Sequence, residues 1–247
     1  MSFVSPNAAK VVKTQYLYKL KAYGQVFFSL VFIQLLAILF SLYGVGQMGS
    51  GSGDIEIKVQ YYSADLVVVF TFLWGFITAT LITGKGYRYD DFTFITTRLI
   101  GNLSNALFLL TASILGSITA MLSAFLIKWI MVLVKGPIYI QQDIQSLTFV
   151  EFLIGVAITA FYIFLFCSIG YFVGTLIQLS KLFAFFLPVL FFGLLFLGGI
   201  DGAVVKIVYS FIFTESSIVV FIFKVFIVIS LFFSSSFFLS NRLEVKQ

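Results

Sequence analysis

The stretch FVEFLIGVAITAFYIFLFCSIGYFVGTLI, residues Phe149–Ile177, decides the fold, because Glu151 is its single charged residue. A bilayer core about 30 Å thick needs about 20 consecutive apolar residues in a helix. This stretch is longer, which predicts a tilted helix or one that extends beyond the hydrocarbon. The whole 247-residue chain is similar, with 61% apolar and 10% charged residues, against about 25% charged in soluble domains. The sequence therefore predicts an integral membrane protein.

Six apolar stretches predict an all-α integral membrane protein with six transmembrane helices. They are Val26–Gly46, Leu66–Gly84, Leu103–Val134, Phe149–Ile177, Leu182–Ile200 and Ser217–Leu239. Ten Lys and Arg residues fall on one side of these spans and three, Lys58 among them, fall on the other. Because cytoplasmic segments collect cations, both termini are predicted to be cytoplasmic.

Missing residue types narrow the possible functions. The chain has no His and one cysteine, Cys167, which excludes imidazole chemistry, disulfides within the chain and cysteine metal clusters. No phosphate-binding loop occurs, so any ATP must bind another polypeptide. The net charge of +5 is interpreted as Lys and Arg facing anionic lipid, not nucleic acid. No metal or cofactor is predicted in this chain.

The segment before the first span predicts an amphipathic helix, Ala8–Tyr23, at the cytoplasmic interface. Its apolar face is formed by Val12, Tyr16, Leu20 and Tyr23. Lys19 breaks this pattern, while Lys10 and Lys21 lie nearly opposite the apolar face. Apolar burial and cation attraction to anionic headgroups favour an interfacial position. The helix is interpreted either as an elbow that receives motion from a partner or as a plain anchor.

The cytoplasmic segment between spans two and three predicts a docking surface. Within GKGYRYDDFTFITTR, Asp91 is positioned to cap a short helix that starts at Phe92. An amphipathic helix with aromatic residues and mixed charge suits a groove on a soluble protein. The alternative is an ordinary charged loop. The residues predicted to couple to that partner are Asp91, Phe92, Ile95 and Arg98.

This layout resembles the membrane subunit of ABC-2 type ABC exporters, and Phe92-Thr93-Phe94-Ile95-Thr96-Thr97-Arg98 resembles their coupling segment. The resemblance implies residues 1–25 as an elbow, 26–239 as the transmembrane domain with coupling segment 85–100, and 240–247 as a cytoplasmic tail. It also implies a separate ABC ATPase subunit that holds ATP and Mg, and a second permease subunit, the same or homologous. The expected setting is a bacterial cell membrane.

The expected function is export of amphipathic or hydrophobic cargo, such as a bacteriocin or cytolytic peptide, by a subunit that is not itself an enzyme. Scarcity of charge within the spans argues against an ion-coupled carrier. A lipid or drug exporter subunit and a non-transporting assembly or scaffold subunit are alternatives. An intramembrane enzyme would need convergent acids, and Asp90-Asp91 is the one adjacent acid pair.

Polar residues inside the spans are further candidates. Gln34 and Lys224 are predicted to line a substrate path, with interhelix hydrogen bonding and snorkelling to the interface as their respective alternatives. Lys128 and Glu151 are predicted to form an ion pair across a short outer connection. The loop 46–63, rich in Gly and Ser, is expected to be external and flexible.

Small residues within the spans predict close helix packing. Span four carries Gly170 and Gly174 four residues apart. Span three carries small residues every four positions, namely Ala112, Gly116, Ala120 and Ala124. Packing within one subunit is the favoured interpretation, and a dimer seam is the alternative.

Overall fold

The computed structural model describes residues 8–44, 46–52, 55–61, 63–84, 86–87, 97–136, 148–198, 206, 210 and 217–242. Most of these residues are helical. In chain order the helices are α1 (Ala8–Ala22), α2 (Gly24–Ser41), α3 (Asp65–Ile82), α4 (Arg98–Lys135), α5 (Phe149–Leu179), α6 (Phe183–Gly198) and α7 (Ile218–Arg242). Strands β1 (Gly46–Ser52) and β2 (Ile55–Tyr61) lie between α2 and α3.

Five of the described helices, α2, α3, α4, α5 and α7, are long and apolar enough to cross a membrane. Large apolar side chains on these helices are exposed, and Phe28, Trp129 and Phe223 keep 79%, 69% and 67% of their surface. Extensive exposed apolar surface of this kind suits lipid contact and not water. The chain is therefore a mainly helical, multi-pass membrane protein, as its composition predicts.

Helix α6 occupies the place of the fifth predicted span, Leu182–Ile200. It has 16 residues, with Pro188 inside it, and a bilayer crossing needs about 20. Proline also removes one backbone hydrogen-bond donor from the helix. The sixth crossing and the cytoplasmic position of both termini stay predictions.

Helix α5 packs along α3 and also contacts α4 and α7. A Cβ added at Gly170 would overlap the carbonyl oxygen of Phe76, and one at Gly174 would lie 2.8 Å from the carbonyl oxygen of Thr80. The Thr80 hydroxyl donates a hydrogen bond to the Gly170 carbonyl oxygen at 3.0 Å. The two glycines thus allow backbone-to-backbone contact. The predicted packing within one subunit is confirmed for this pair.

The small residues of α4 also face the inside of the bundle. Ala112 and Ala120 are fully buried. A Cβ added at Gly116 would lie 3.3 Å from Thr71 of α3 and 3.6 Å from Ile163 of α5. These three positions let α4 approach its neighbours in the same chain, which confirms the favoured interpretation for them.

A two-stranded antiparallel hairpin joins α2 to α3. Its register runs from the pair Gly46–Tyr61 to the pair Ser52–Ile55. Alternate residues of β2 from Ile55 to Val59 are β-branched, a pattern that favours a strand. The prediction of a loop over 46–63 is wrong for these two strands, because their backbones pair. Its flexibility and its external position stay predictions.

Helix α1 matches the predicted range Ala8–Tyr23 to within one residue, and its predicted apolar face is buried at Val12 and Tyr23 and half-buried at Tyr16 and Leu20. Its buried residues are Val12, Gln15 and Lys19. Tyr16, which was predicted to lie on the buried face, is half-buried at its edge. This face packs against α4. The interpretation of Lys19 as a break in the buried pattern is wrong, because α4 presents polar groups to it.

Candidate functional site

Lys19 lies at the centre of a buried polar cluster between α1 and α4. Its amine donates hydrogen bonds to Asn105 Oδ1 at 2.5 Å, Ser104 Oγ at 2.8 Å and the Gly101 carbonyl oxygen at 3.4 Å. Lys19 is 1% exposed and Ser104 is fully buried. A buried ammonium group is costly unless it is hydrogen-bonded. Three acceptors match its three N–H groups, so α4 provides a shaped socket for this side chain.

The cluster extends to α5 through Tyr171. The Asn105 amide donates to the Tyr171 hydroxyl at 3.3 Å, and that hydroxyl donates to Asn102 Oδ1 at 2.7 Å. The Tyr171 ring also lies 5.5 Å from the ring of Phe233 on α7, measured between centroids. We call this hydrogen-bonded group the Lys19 cluster. Its members are Lys19, Gly101, Asn102, Ser104, Asn105 and Tyr171.

Arg98 joins the beginning of α4 to the end of α7. Its Nη1 donates a hydrogen bond to the Ser240 carbonyl oxygen at 2.6 Å. Carbonyl groups in the last turn of a helix lack intrahelical partners, so a guanidinium satisfies one here. Of the four residues predicted to couple to a partner, the structure describes Arg98. Asp91, Phe92 and Ile95 lie outside the described residues.

The chemistry of the Lys19 cluster is that of a joint between helices. Among the described residues, it combines one ammonium group with hydroxyls, carboxamides and a backbone carbonyl, and none of these members is a carboxylate or a thiol. Within the described ranges, no group of three or more His, Cys, Asp or Glu residues is placed to hold a metal ion. The predicted acid pair Asp90-Asp91 lies outside those ranges. What the cluster does chemically is fix α1, α4 and α5 relative to one another.

Gln34 forms a second polar contact, near the middle of α2. It is 6% exposed, and its amide donates to Thr71 Oγ1 at 3.1 Å and to the Gly116 carbonyl oxygen at 3.2 Å. These bonds tie α2 to α3 and α4. They are the interhelix hydrogen bonds that the sequence offered as the alternative role of Gln34. Lining of a substrate path by Gln34, or by the half-buried Lys224 on α7, stays a prediction.

Glu151 acts at the beginning of α5. Its carboxylate accepts a hydrogen bond from the Thr148 backbone amide at 2.9 Å, as part of a capping box. Lys128 is exposed on α4. The ion pair between Lys128 and Glu151 stays a prediction. Thr148 and Glu151 are separated by two residues, which is the spacing of a capping box. This spacing explains the role of the Glu151 carboxylate at the beginning of its own helix.

Sequence reasoning missed the Lys19 cluster as a site. Two signals for it were present. Asn102 and Asn105 are three residues apart and therefore share a face of α4. The other signal is the helical spacing of three, four and four residues shared by Val12, Gln15, Lys19 and Tyr23.

The fold and this site together define a multi-pass helical membrane protein whose helices meet at a buried polar joint. Comparison with protein-family models, curated proteins and solved structures finds no match for the chain.

Proposed function

We propose that this chain is the membrane subunit of an ATP-driven exporter of the ABC-2 type. A separate ATPase subunit binds and hydrolyses ATP, and a second permease subunit, the same or homologous, completes the path. The cargo is amphipathic or hydrophobic, with a bacteriocin or cytolytic peptide as the first choice. The observation that carries the proposal is that the Lys19 cluster begins at Gly101, which follows directly in the chain after segment 85–100, the segment predicted to dock the ATPase.

The docking segment 85–100 runs into the first turn of α4, and the contacts of that region reach three other helices. Arg98 bonds to the end of α7, Lys19 bonds α1 to Gly101, Ser104 and Asn105, and Tyr171 brings in α5. Chains of hydrogen bonds and packed side chains of this kind are one physical route by which distant sites are coupled. A displacement of segment 85–100 by a partner would therefore move α1, α4, α5 and α7 together.

Scarcity of charge in the spans supports cargo that is not a small ion. Gln34, the polar side chain in the middle of α2, is engaged in bonds to α3 and α4. Ion-coupled carriers use buried acids near the midplane, and the described part of α3 carries an acid only in its first turn, at Asp65. A phenylalanine-rich bundle instead suits apolar or amphipathic cargo.

The proposed topology has six spans with both termini in the cytoplasm. Five described helices have the required length, and the sixth crossing of the proposal is the predicted span Leu182–Ile200, which contains α6. The positive-inside distribution of Lys and Arg supports this orientation. It places α1, segment 85–100 and the end of α7 on the same cytoplasmic side, where a soluble ATPase would meet them.

Copurification tests the proposal directly. We expect the tagged protein, extracted in mild detergent, to retain a P-loop ATPase with vanadate-sensitive activity. A known membrane complex from the same extract serves as the control for gentle handling. Recovery of this protein without an ATPase, while the control complex stays intact, would contradict the exporter proposal and favour a non-transporting assembly subunit.

Arg98→Glu is expected to weaken ATPase association about tenfold, whereas Lys58→Glu leaves it unchanged. The substitution reverses the charge beside the docking segment and points a carboxylate at the Ser240 carbonyl oxygen, so two acceptors face each other. A loss of about 1.4 kcal/mol corresponds to that factor. The measurement is the amount of ATPase retained per permease.

Arg98→Gln, which keeps an N–H donor for Ser240, separates loss of charge from loss of the bond to α7. Equal retention of the ATPase by Arg98→Glu and Lys58→Glu would contradict the assignment of segment 85–100 as the docking segment.

A further inference from the structure

A groove of about 740 Å³ lies between α1 and the beginning of α4. Val12 and Tyr16 contribute to one wall, and Leu99, Leu103 and Leu107 contribute to the other. The three leucines are 60%, 48% and 38% exposed, so no described segment covers them. The volume falls within the roughly 300–1,000 Å³ that is typical of sites for small organic ligands.

Among the described residues, the charge around the groove has one sign. Lys13 lines it, and none of the described residues that line it is acidic. Helix α1 as a whole carries four lysines and no Asp or Glu. Lys19 is buried in its cluster, whereas Lys10, Lys13 and Lys21 are exposed. An apolar groove beside an exposed ammonium group is complementary to an amphiphile with an apolar chain and an anionic head.

We propose that this groove binds one acyl chain of an anionic phospholipid, with the lipid phosphate against Lys13. Helix α1 is joined to a bundle with lipid-suited surfaces, so phospholipid is the amphiphile at hand. Anionic headgroups are attracted to basic residues beside a membrane, and the leucines of α4 offer the acyl chain an apolar wall. This inference goes beyond the export proposal and does not depend on it, because it requires only the membrane fold.

Lipid retention by the purified protein tests the charge part of this proposal. Native mass spectrometry would compare phosphatidylglycerol with phosphatidylcholine of the same acyl chains. We expect about fivefold preference for the anionic lipid, which is the factor given by about 1 kcal/mol for one lysine near an anionic surface. Lys13→Gln should abolish the preference. Lys21→Gln, which removes an exposed lysine of α1 that does not line the groove, should retain it.

Filling the groove tests the apolar part. Leu103→Trp is expected to reduce retention of both lipids at least severalfold, whereas Leu115→Trp, at an exposed position of α4 away from the groove, should behave as the parent protein. Equal retention of the two lipids by the parent protein would overturn the proposal. So would equal losses in Lys13→Gln and Lys21→Gln, or unchanged retention in Leu103→Trp, which would mean that another part of the chain fills the groove. If Leu103→Trp does not fold, the comparison of Lys13→Gln with Lys21→Gln tests lipid binding in the groove by itself.

Discussion

Gly170→Ala is expected to separate α3 from α5 and to lower the free energy of unfolding by about 1–3 kcal/mol. The added Cβ would overlap the carbonyl oxygen of Phe76, which is a backbone atom and cannot rotate away as a side chain would. The two helices must move apart, and the hydrogen bond from the Thr80 hydroxyl to the Gly170 carbonyl oxygen lengthens with them. Because α5 packs more extensively with α3 than with any other described element, the whole bundle is loosened.

The single cysteine provides the measurement. Cys167 lies on α5, three residues before Gly170, and is fully buried. Its sulfur lies 3.8 Å from Ser113 Oγ on α4. A thiol-reactive fluorogenic dye therefore labels the protein only when the bundle opens. We expect Gly170→Ala to be labelled at a clearly lower temperature than the parent protein in the same detergent.

Gly193→Ala is the matched control for this substitution. Gly193 also lies within a helix, but a Cβ added there meets no atom of the described residues within 4 Å. Alanine is also the better helix former, by about 0.8–1.0 kcal/mol. Labelling of Gly193→Ala should therefore begin at or above the parent temperature. If both alanine variants open at the same temperature as the parent, Gly170 of α5 does not lie against the backbone of α3 at Phe76.

The membrane fold could be predicted from the sequence because lipid imposes a simple rule on each span. A helix in hydrocarbon must be long and apolar, and Phe149–Ile177 satisfies that requirement on its own. The glycine spacing of Gly170 and Gly174 was equally informative, since close backbone approach needs small residues. The sequence did not reveal which helix would lie against them, because that choice depends on all the helices together.

The Lys19 cluster could not be predicted by the same reasoning, because the rule of burying apolar residues assumes an apolar partner. Helix α4 presents Ser104 and Asn105 to α1, so the buried face of α1 includes Lys19 beside its apolar residues. Glu151 shows the opposite case. Its capping role is visible in the local spacing to Thr148. The pair that was predicted for it instead, with Lys128, depends on where two helix ends lie in space.

Lys19→Met is expected to release α1 from α4 while the rest of the bundle stays folded. Methionine keeps the apolar stem but removes the ammonium group, which leaves Asn105 Oδ1 and Ser104 Oγ buried without this donor. A hydrogen bond to a charged group contributes about 1.5–3 kcal/mol, and leaving its partner buried without a hydrogen bond costs a similar amount. Hydrogen exchange of the α1 amides should therefore become about ten- to a hundredfold faster. Labelling of Cys167 should change little, because its contacts to α4 lie outside the cluster.

Two comparisons separate the bond from the charge. Lys21→Met removes an exposed lysine of α1 and should leave exchange of its amides unchanged. In a Ser104→Ala background the effect of Lys19→Met should shrink, because one stranded acceptor is already gone and the two residues act through the same contact. If Lys19→Met and Lys21→Met behave alike, Lys19 does not hold α1 on α4. Lys19→Met could also show faster exchange, normal ATPase retention and reduced transport. Binding of the partner and transmission of its movement would then be separated in one variant. That result would identify the cluster as the joint that passes motion from segment 85–100 to the bundle.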